Sequence, residues 1–283
     1  MVNETFTPVV PVRDFKKEVY VTSDGFTLPY RLYIPRNYDP GEFYPLMLFM
    51  HGAGERGCDN DEQARVAIPH VFDDPKSPAY NAIVVAPQCP EGKQWVYTPW
   101  EKGNYSTDSV VESKELQTVI EILRHLCSEY NVDKSRIYAT GLSMGGFATW
   151  DLITRHPTVF AAAMPVCGGG DPSKAKQLAE IPIRTFHGFL DGVVPAEGTR
   201  EMYSAISAQG KGRITYTEFP DRAHDIWDPV YMNAANVNWL FSQRKPEKKR
   251  PVQNVSYKKV GTAIGIAGAL TAALIILGKK KKK

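Results

Sequence analysis

Ile137-Tyr138-Ala139-Thr140-Gly141-Leu142-Ser143-Met144-Gly145-Gly146 is the stretch on which the reading of this chain turns. The apolar run 137–140 predicts a short strand, and the residues from Met144 to about Arg155 predict a helix. Between them lies Gly-x-Ser-x-Gly. That pattern alone is a weak signal, but a strand before it and a helix after it are the context a nucleophile elbow requires. A turn this tight leaves no room for a Cβ on either side of the serine, which explains the two glycines. The turn lifts the Ser143 hydroxyl above the sheet at a helix N-terminus. The Met144 N–H then points into the same space, where it can stabilise a developing oxyanion.

Working outward, residues 1–243 alternate short β-branched or aromatic runs with longer amphipathic ones. Residues 17–22 and 28–35 read as strands separated by an Asp24-Gly25 turn. The fully apolar runs 46–50 and 82–86 read as buried strands, and 160–166, 183–187 and 214–219 as further ones. Helical spacing marks 109–130, with Val111, Leu116, Val119, Ile120, Leu123 and Leu126 on one face, and 230–241 reads as a closing helix. Apolar strands alternating with helices predict an α/β domain, a mostly parallel sheet covered on both faces. In such sheets the site lies beyond the carboxyl ends of the strands.

A serine hydroxyl needs a base to take its proton. His224 follows the strand 214–219 and is the candidate base. His187 ends its own strand too early to follow an acid and reads as a packed, hydrogen-bonded histidine. Asp191, just after strand 183–187, is the candidate acid that would hold the His224 tautomer. Its rivals are Asp171, for which a turn role suffices, and Asp221, Asp225 and Asp228 beside the histidine. The second oxyanion donor is expected in His51-Gly52-Ala53-Gly54-Glu55-Arg56-Gly57, with the Ala53 N–H first and Gly54 second. His51 reads as structural; Glu55 and Arg56 either pair with each other or order the loop, with a direct substrate role for Arg56 as a further alternative. Trp95, Trp100 and Tyr105 either line an acyl pocket or cover the core edge, and Trp150 reads as packing.

These segments, together with Tyr30-Arg31-Leu32-Tyr33-Ile34-Pro35 and Ala223-His224-Asp225, resemble the α/β-hydrolase superfamily over residues 17–243. Within it the chain is similar to single-domain esterases of the prolyl-oligopeptidase-like, dienelactone-hydrolase-like and polyhydroxybutyrate-depolymerase-like groups. The resemblance implies hydrolysis of a carboxylic ester through an acyl-enzyme, with Ser143 as nucleophile, Asp191 as acid and His224 as base. No cysteine stands at the nucleophile position, which argues against dienelactone chemistry itself. The expected substrate is a small-molecule or lipid ester, and a thioester or small amide is the nearer alternative. A non-catalytic, membrane-anchored binding protein is the alternative of a different class, and the intact triad and oxyanion segments weigh against it.

Composition places the rest. The formal net charge of +3 hides an asymmetry, because residues 244–283 carry 12 Lys+Arg against the single acid Glu247. The body is therefore acidic, with no basic face of the kind nucleic acid requires. Cys58, Cys89, Cys127 and Cys167 show no metal-binding spacing and read as reduced thiols in a cytosolic compartment. No cofactor or metal site is indicated, and the first residues predict no signal peptide. Residues 244–259 read as a basic tether. Residues 260–278 are uncharged, would span roughly 28 Å as a helix, and are followed by five lysines at 279–283. This resembles a tail-anchored membrane protein with its domain facing the cytosol, on a mitochondrion-type outer membrane or a peroxisome. Gly261, Gly265, Ala269 and Ala273 share one helical face, which would suit a homodimer paired through the anchor.

Overall fold

The computed structural model describes residues 14–246. Its central strands, β3 (Tyr44–Met50) and β4 (Ile83–Pro87), are apolar on both faces and buried on both. Successive side chains divide between two core layers, as the two-residue period of a strand demands. Leu46, Leu48, Met50, Ile83 and Val85 enter one layer, whereas Met47, Phe49, Val84 and Ala86 enter the other. The remaining strands are β1 (Lys16–Val21), β2 (Thr27–Tyr33), β5 (Val132–Leu142), β6 (Ala162–Val166), β7 (Ile183–Gly188) and β8 (Ile214–Phe219). Together they form an eight-stranded sheet in the order β1-β2-β4-β3-β5-β6-β7-β8. β1 and β2 pair antiparallel, β2 joins β4 antiparallel, and every pair from β4 to β8 is parallel.

Helices cover both faces. The first layer takes α1 (Lys114–Glu129), α2 (Met144–Arg155) and α4 (Ala196–Ser207), through Leu116, Phe147, Trp150 and Met202. The second takes α6 (Ala234–Ser242) and the tight turns of residues 62–81, through Val237, Leu240, Ile68 and Phe72. Short α3 (Ala175–Leu178) and α5 (Trp227–Tyr231) complete the described residues. The mostly parallel α/β sheet is the architecture the alternating runs predict.

Several boundaries differ from the sequence expectation, each for a local reason. α1 starts at Lys114 rather than near residue 109, because the buried Ser113 hydroxyl accepts the Leu116 N–H at 3.0 Å and caps the helix there. Val111 is accordingly 81% exposed and off the helical face. The expected closing helix 230–241 is two pieces, divided where the Asn233 side chain accepts the Ala235 N–H and opens α6. α4 escaped the sequence pattern because Gly198 interrupts it. That glycine is required by contact: a Cβ there would stand 2.9 Å from the Gly103 carbonyl carbon and oxygen.

Among the described residues no helix is long and apolar enough to cross a membrane. The expected span 260–278, the end of the tether and the lysine tail lie outside the described residues. The four cysteines are free thiols.

Ser113 links α1 to the loop before it, since its hydroxyl also donates to the Trp95 carbonyl at 2.6 Å. Replacing it with alanine removes a helix cap and leaves a buried carbonyl unpaired. Ser113→Ala is expected to cost about 1–2 kcal/mol. Thermal unfolding should register a fall in Tm of roughly 2–8 °C.

Candidate active site

The end of β5 delivers Ser143 to the top of the sheet with φ 54° and ψ −121°, a conformation that L-residues rarely adopt. Packing around the turn holds it. The Ser143 N–H donates to the Val166 carbonyl on β6 at 2.9 Å. A Cβ on Gly145 would fall 1.9 Å from the Met50 carbonyl oxygen, and one on Gly141 would fall 2.5 Å from the same atom. Neither contact is survivable, so both glycines are dictated by the approach of the elbow to the end of β3. Met144 is the first residue of α2, where backbone N–H groups lack helical acceptors.

Two further strand ends converge on the serine. His224, in the loop after β8, meets the Ser143 Oγ with its Nε2 at 2.8 Å. Its Nδ1 lies 2.6 Å from Asp191 Oδ2, in the turn after β7. The Asp191 side chain is fully buried, and its Oδ1 accepts the Val193 and Val194 N–H groups, both at 2.9 Å. Burial works against this carboxylate. The hydrogen bonds from His187 and His224 and from the two N–H groups outweigh it and hold the pKa far below the usual range.

His187 is the packed histidine the sequence suggested, but its position carries more. Its Nε2 faces both Asp191 Oδ2 at 3.1 Å and the Val194 carbonyl at 3.0 Å, and its Nδ1 lies 2.7 Å from Thr199 Oγ1. It therefore buttresses the acid from beneath. A histidine four residues before an acid, both in one strand-end turn, was the available signal. Two of the rival carboxylates are engaged elsewhere: Asp171 holds Thr107 and Ser173, and Asp228 lies 3.5 Å from His70.

The glycine-rich loop after β3 presses against the elbow. A Cβ on Gly52 would lie 2.8 Å from Leu142 Cδ1 and 3.6 Å from Ser143 Cβ, so Ala53 enters the cavity beside the serine. His51 is structural: its Nε2 accepts the Cys89 N–H at 2.9 Å, and its Nδ1 lies 2.6 Å from the Gly52 carbonyl. Burial pushes its pKa down to about 4, leaving it neutral at pH 7. Of the readings left open for Glu55 and Arg56, mutual pairing does not occur, and Arg56 orders the loop instead. Arg56 turns away to the carbonyls of Ala53 and Lys93, at 2.8 and 3.2 Å, while Glu55 is among the residues around the cavity.

That cavity has a volume of about 260 Å³ and is walled by Ala53, Glu55, Trp100, His224 and Trp227 around Ser143. A larger groove of about 380 Å³, between α1 and the start of β5, holds no nucleophile–base pair. Of the three aromatics left open by the sequence, only Trp100 reaches the cavity. Trp95 is fully buried against His51, and Tyr105 donates to Asp151 Oδ2 at 2.8 Å. Trp227, the first residue of α5, also forms a wall and sets its ring 5.8 Å from that of His224. Among the described residues no group of His, Cys, Asp or Glu side chains is arranged to hold a metal ion.

A serine, a histidine and a buried carboxylate in one hydrogen-bonded row, at three strand ends of a parallel sheet, are the arrangement of a hydrolase site. The family model for phospholipases and carboxylesterases matches residues 41–237. The chain belongs to this carboxylesterase family. A bifunctional acetylxylan esterase/xylanase of Neocallimastix patriciarum is 27% identical over 214 residues, covering 75% of this chain and 28% of that protein. Among solved structures, a thermostable esterase is 38% identical with a TM-score of 0.73, over 83% of this chain and 64% of that one. A ferulic acid esterase, at 16% identity and a TM-score of 0.61 over 80% of this chain and 98% of that one, shares the fold. This carboxylesterase-family chain thus spans under a third of the curated relative's length.

The depressed Asp191 pKa makes a prediction about stability in this carboxylesterase-family domain. A carboxylate held below its unfolded value contributes stability that is complete above the unfolded pKa of about 4 and lost as pH falls below it. Wild type is therefore expected to exceed Asp191→Asn in urea denaturation at pH 7. At pH 3 the gap should narrow.

Proposed function

We propose that the chain is a serine carboxylesterase acting on small acyl esters, with Ser143 as nucleophile, His224 as general base and Asp191 as the acid that orients it. The observation that carries this reading is the hydrogen-bonded row itself, 2.8 Å from Ser143 Oγ to His224 and 2.6 Å from His224 to Asp191. Ser143 Oγ attacks the ester carbonyl as its proton passes to His224 Nε2. Asp191, kept ionised, stabilises the imidazolium that results. The tetrahedral oxyanion takes hydrogen bonds from the Met144 and Ala53 N–H groups. His224 then protonates the departing alcohol, and a water activated by the same nitrogen frees Ser143 from the acyl group.

A cavity of about 260 Å³ is below the usual range of ~300–1,000 Å³ for small-molecule sites, which favours a short acyl group. The acetylxylan-esterase activity named for one relative supports an acetyl ester of a carbohydrate as the substrate class. The expected result with a fluorophosphonate probe is labelling of wild type that disappears in Ser143→Ala. Ester hydrolysis by His224→Ala should fall by roughly three orders of magnitude or more. Undiminished labelling of Ser143→Ala would overturn the assignment.

The tail belongs to the same proposal. The uncharged stretch 260–278, with lysines on either side, supports a single membrane span that tethers the esterase to a membrane by its C-terminal end. The five lysines at 279–283 would hold its far end at the headgroups. A cytosol-facing domain on a mitochondrion-type outer membrane or a peroxisome is the location this favours. A fluorescent protein fused to residues 244–283 is expected on such a membrane; diffuse cytosolic signal would sink the anchor.

A further inference from the structure

His187 lies near the end of β7 with no exposed side-chain surface, and its ring takes no part in the proton transfer between Ser143 and His224. Acceptors face that ring on both sides. Nε2 meets Asp191 Oδ2 at 3.1 Å and the Val194 carbonyl at 3.0 Å. Nδ1 meets Thr199 Oγ1 at 2.7 Å. A hydroxyl carries one proton to donate, and that of Thr199 goes to the Gly168 carbonyl at 2.9 Å. Gly168 is buried, and its carbonyl has no other donor among the described residues.

A neutral imidazole has a single N–H and cannot satisfy this setting. With the proton on Nδ1, a bare Nε2 faces a carboxylate and a carbonyl. With the proton on Nε2, a bare Nδ1 faces the Thr199 oxygen, unless the hydroxyl turns towards the ring and strands the Gly168 carbonyl. A ring protonated at both nitrogens gives every one of these contacts a donor and an acceptor. The charge it brings into the interior is paired. Asp191 lies against it, and Glu218 stands beside His187 in the β7–β8 register, where the Arg200 hydrogen bond at 2.8 Å holds its carboxyl below the usual range. Arg200 is itself taken up by Glu218 and Glu197. Burial pushes the Cys167 thiol, near Asp191, far up and keeps it neutral. His224 stands on the other side of the acid.

We propose that His187 is a positioning residue that holds a second imidazolium against Asp191, and that its charge lets His224 act as a base at lower pH than a lone histidine–aspartate pair would allow. This rests on the esterase reading above and deepens it. Asp191 Oδ2 is shared between the two rings, at 2.6 Å from His224 Nδ1 and 3.1 Å from His187 Nε2. A carboxylate beside a histidine favours the protonated form, which is useless as a base. A cation on the far side of the same oxygen offsets that pull without releasing the carboxyl. Turning the carboxyl away from His224 would break the His187 contact as well, so orientation and charge are set by one side chain.

The first test reads the ring directly, from long-range proton–nitrogen NMR spectra of full-length protein labelled with 15N-histidine, with the His187 signal assigned by its loss in His187→Gln. Both ring nitrogens of His187 are expected to be protonated at pH 7; one bare nitrogen would overturn the proposal. The second follows kcat/KM for p-nitrophenyl acetate against pH, each protein scaled to its own plateau so that a general loss of activity drops out. His187→Gln keeps an N–H for Asp191 and removes the charge. Thr199→Val removes the acceptor that calls for the second ring proton. Each is expected to move the acidic limb up by about one pH unit, so that scaled kcat/KM below the limb falls about tenfold. A limb that stays in place in both variants overturns the catalytic role of the charge. Absence of both hydrolysis and fluorophosphonate labelling in wild type overturns the esterase reading, and the NMR result then still decides whether His187 is an imidazolium.

Discussion

The contact between the end of β3 and the start of α2 is the constraint on which the site depends. Gly145 brings backbone against backbone there, so close that a single methyl would lie 1.9 Å from the Met50 carbonyl oxygen. This proximity does three things together. It allows Ser143 to occupy a positive φ of 54°, a strained conformation retained only where the surroundings over-determine it. It sets the loop after β3 beside the elbow, which is why Ala53 and Ser143 share a cavity. It also forces His51, the last residue before that loop, into the interior, where burial leaves it neutral and able to accept the Cys89 N–H. Loosening that backbone contact would separate the nucleophile from the oxyanion segment at Ala53.

The acid is secured differently, by hydrogen bonds rather than by sterics. Asp191 is fully buried in a turn, and a buried charge is costly unless it is paired. Its two oxygens meet two N–H groups and two histidines, and only one of those histidines, His224, reaches the serine. His187 is in turn held by Thr199, whose hydroxyl donates to the Gly168 carbonyl. That chain ties the acid to α4 and to the loop after β6. The orientation of His224 therefore depends on packing well below the cavity, and Asp191 is the point at which the two are joined.

How far this was legible in the sequence follows from how local each signal is. The elbow was legible because two glycines with a strand before and a helix after leave few other readings. The juxtaposition of Ser143, Asp191 and His224 was legible because topology places the ends of β5, β7 and β8 along one edge of the sheet. The aromatic stretch was not. Trp95, Trp100 and Tyr105 are equivalent as letters, and their fates were decided by partners far away in sequence, His51 for Trp95 and Asp151 for Tyr105. Nor could adjacency reveal that Glu55 and Arg56 point apart, since neighbours in a tight turn project in different directions. The start of α1 hung on Ser113, whose short side chain accepts the Leu116 N–H and so begins the helix there.

Charge gives the last connection. Acyl transfer develops a negative oxygen beside the N-terminus of α2, where helix geometry favours it. An ionised carboxylate near that oxygen would oppose its charge, and the loop after β3 brings Glu55 to the edge of the cavity. Burial pushes the Glu55 pKa up, against the easing effect of the nearby Gly52 and Glu55 N–H groups. Raising the cost of its charge softens the conflict with the oxyanion. Asp191 faces the opposite demand, since it must remain ionised to stabilise an imidazolium, and its four hydrogen-bond donors supply what burial takes away. Two carboxyl groups near one site thus shift in opposite directions, because burial outweighs the two N–H groups at Glu55 while four donors outweigh burial at Asp191. That difference, more than distance from the serine, leaves Asp191 as the carboxylate suited to meeting the imidazolium cation.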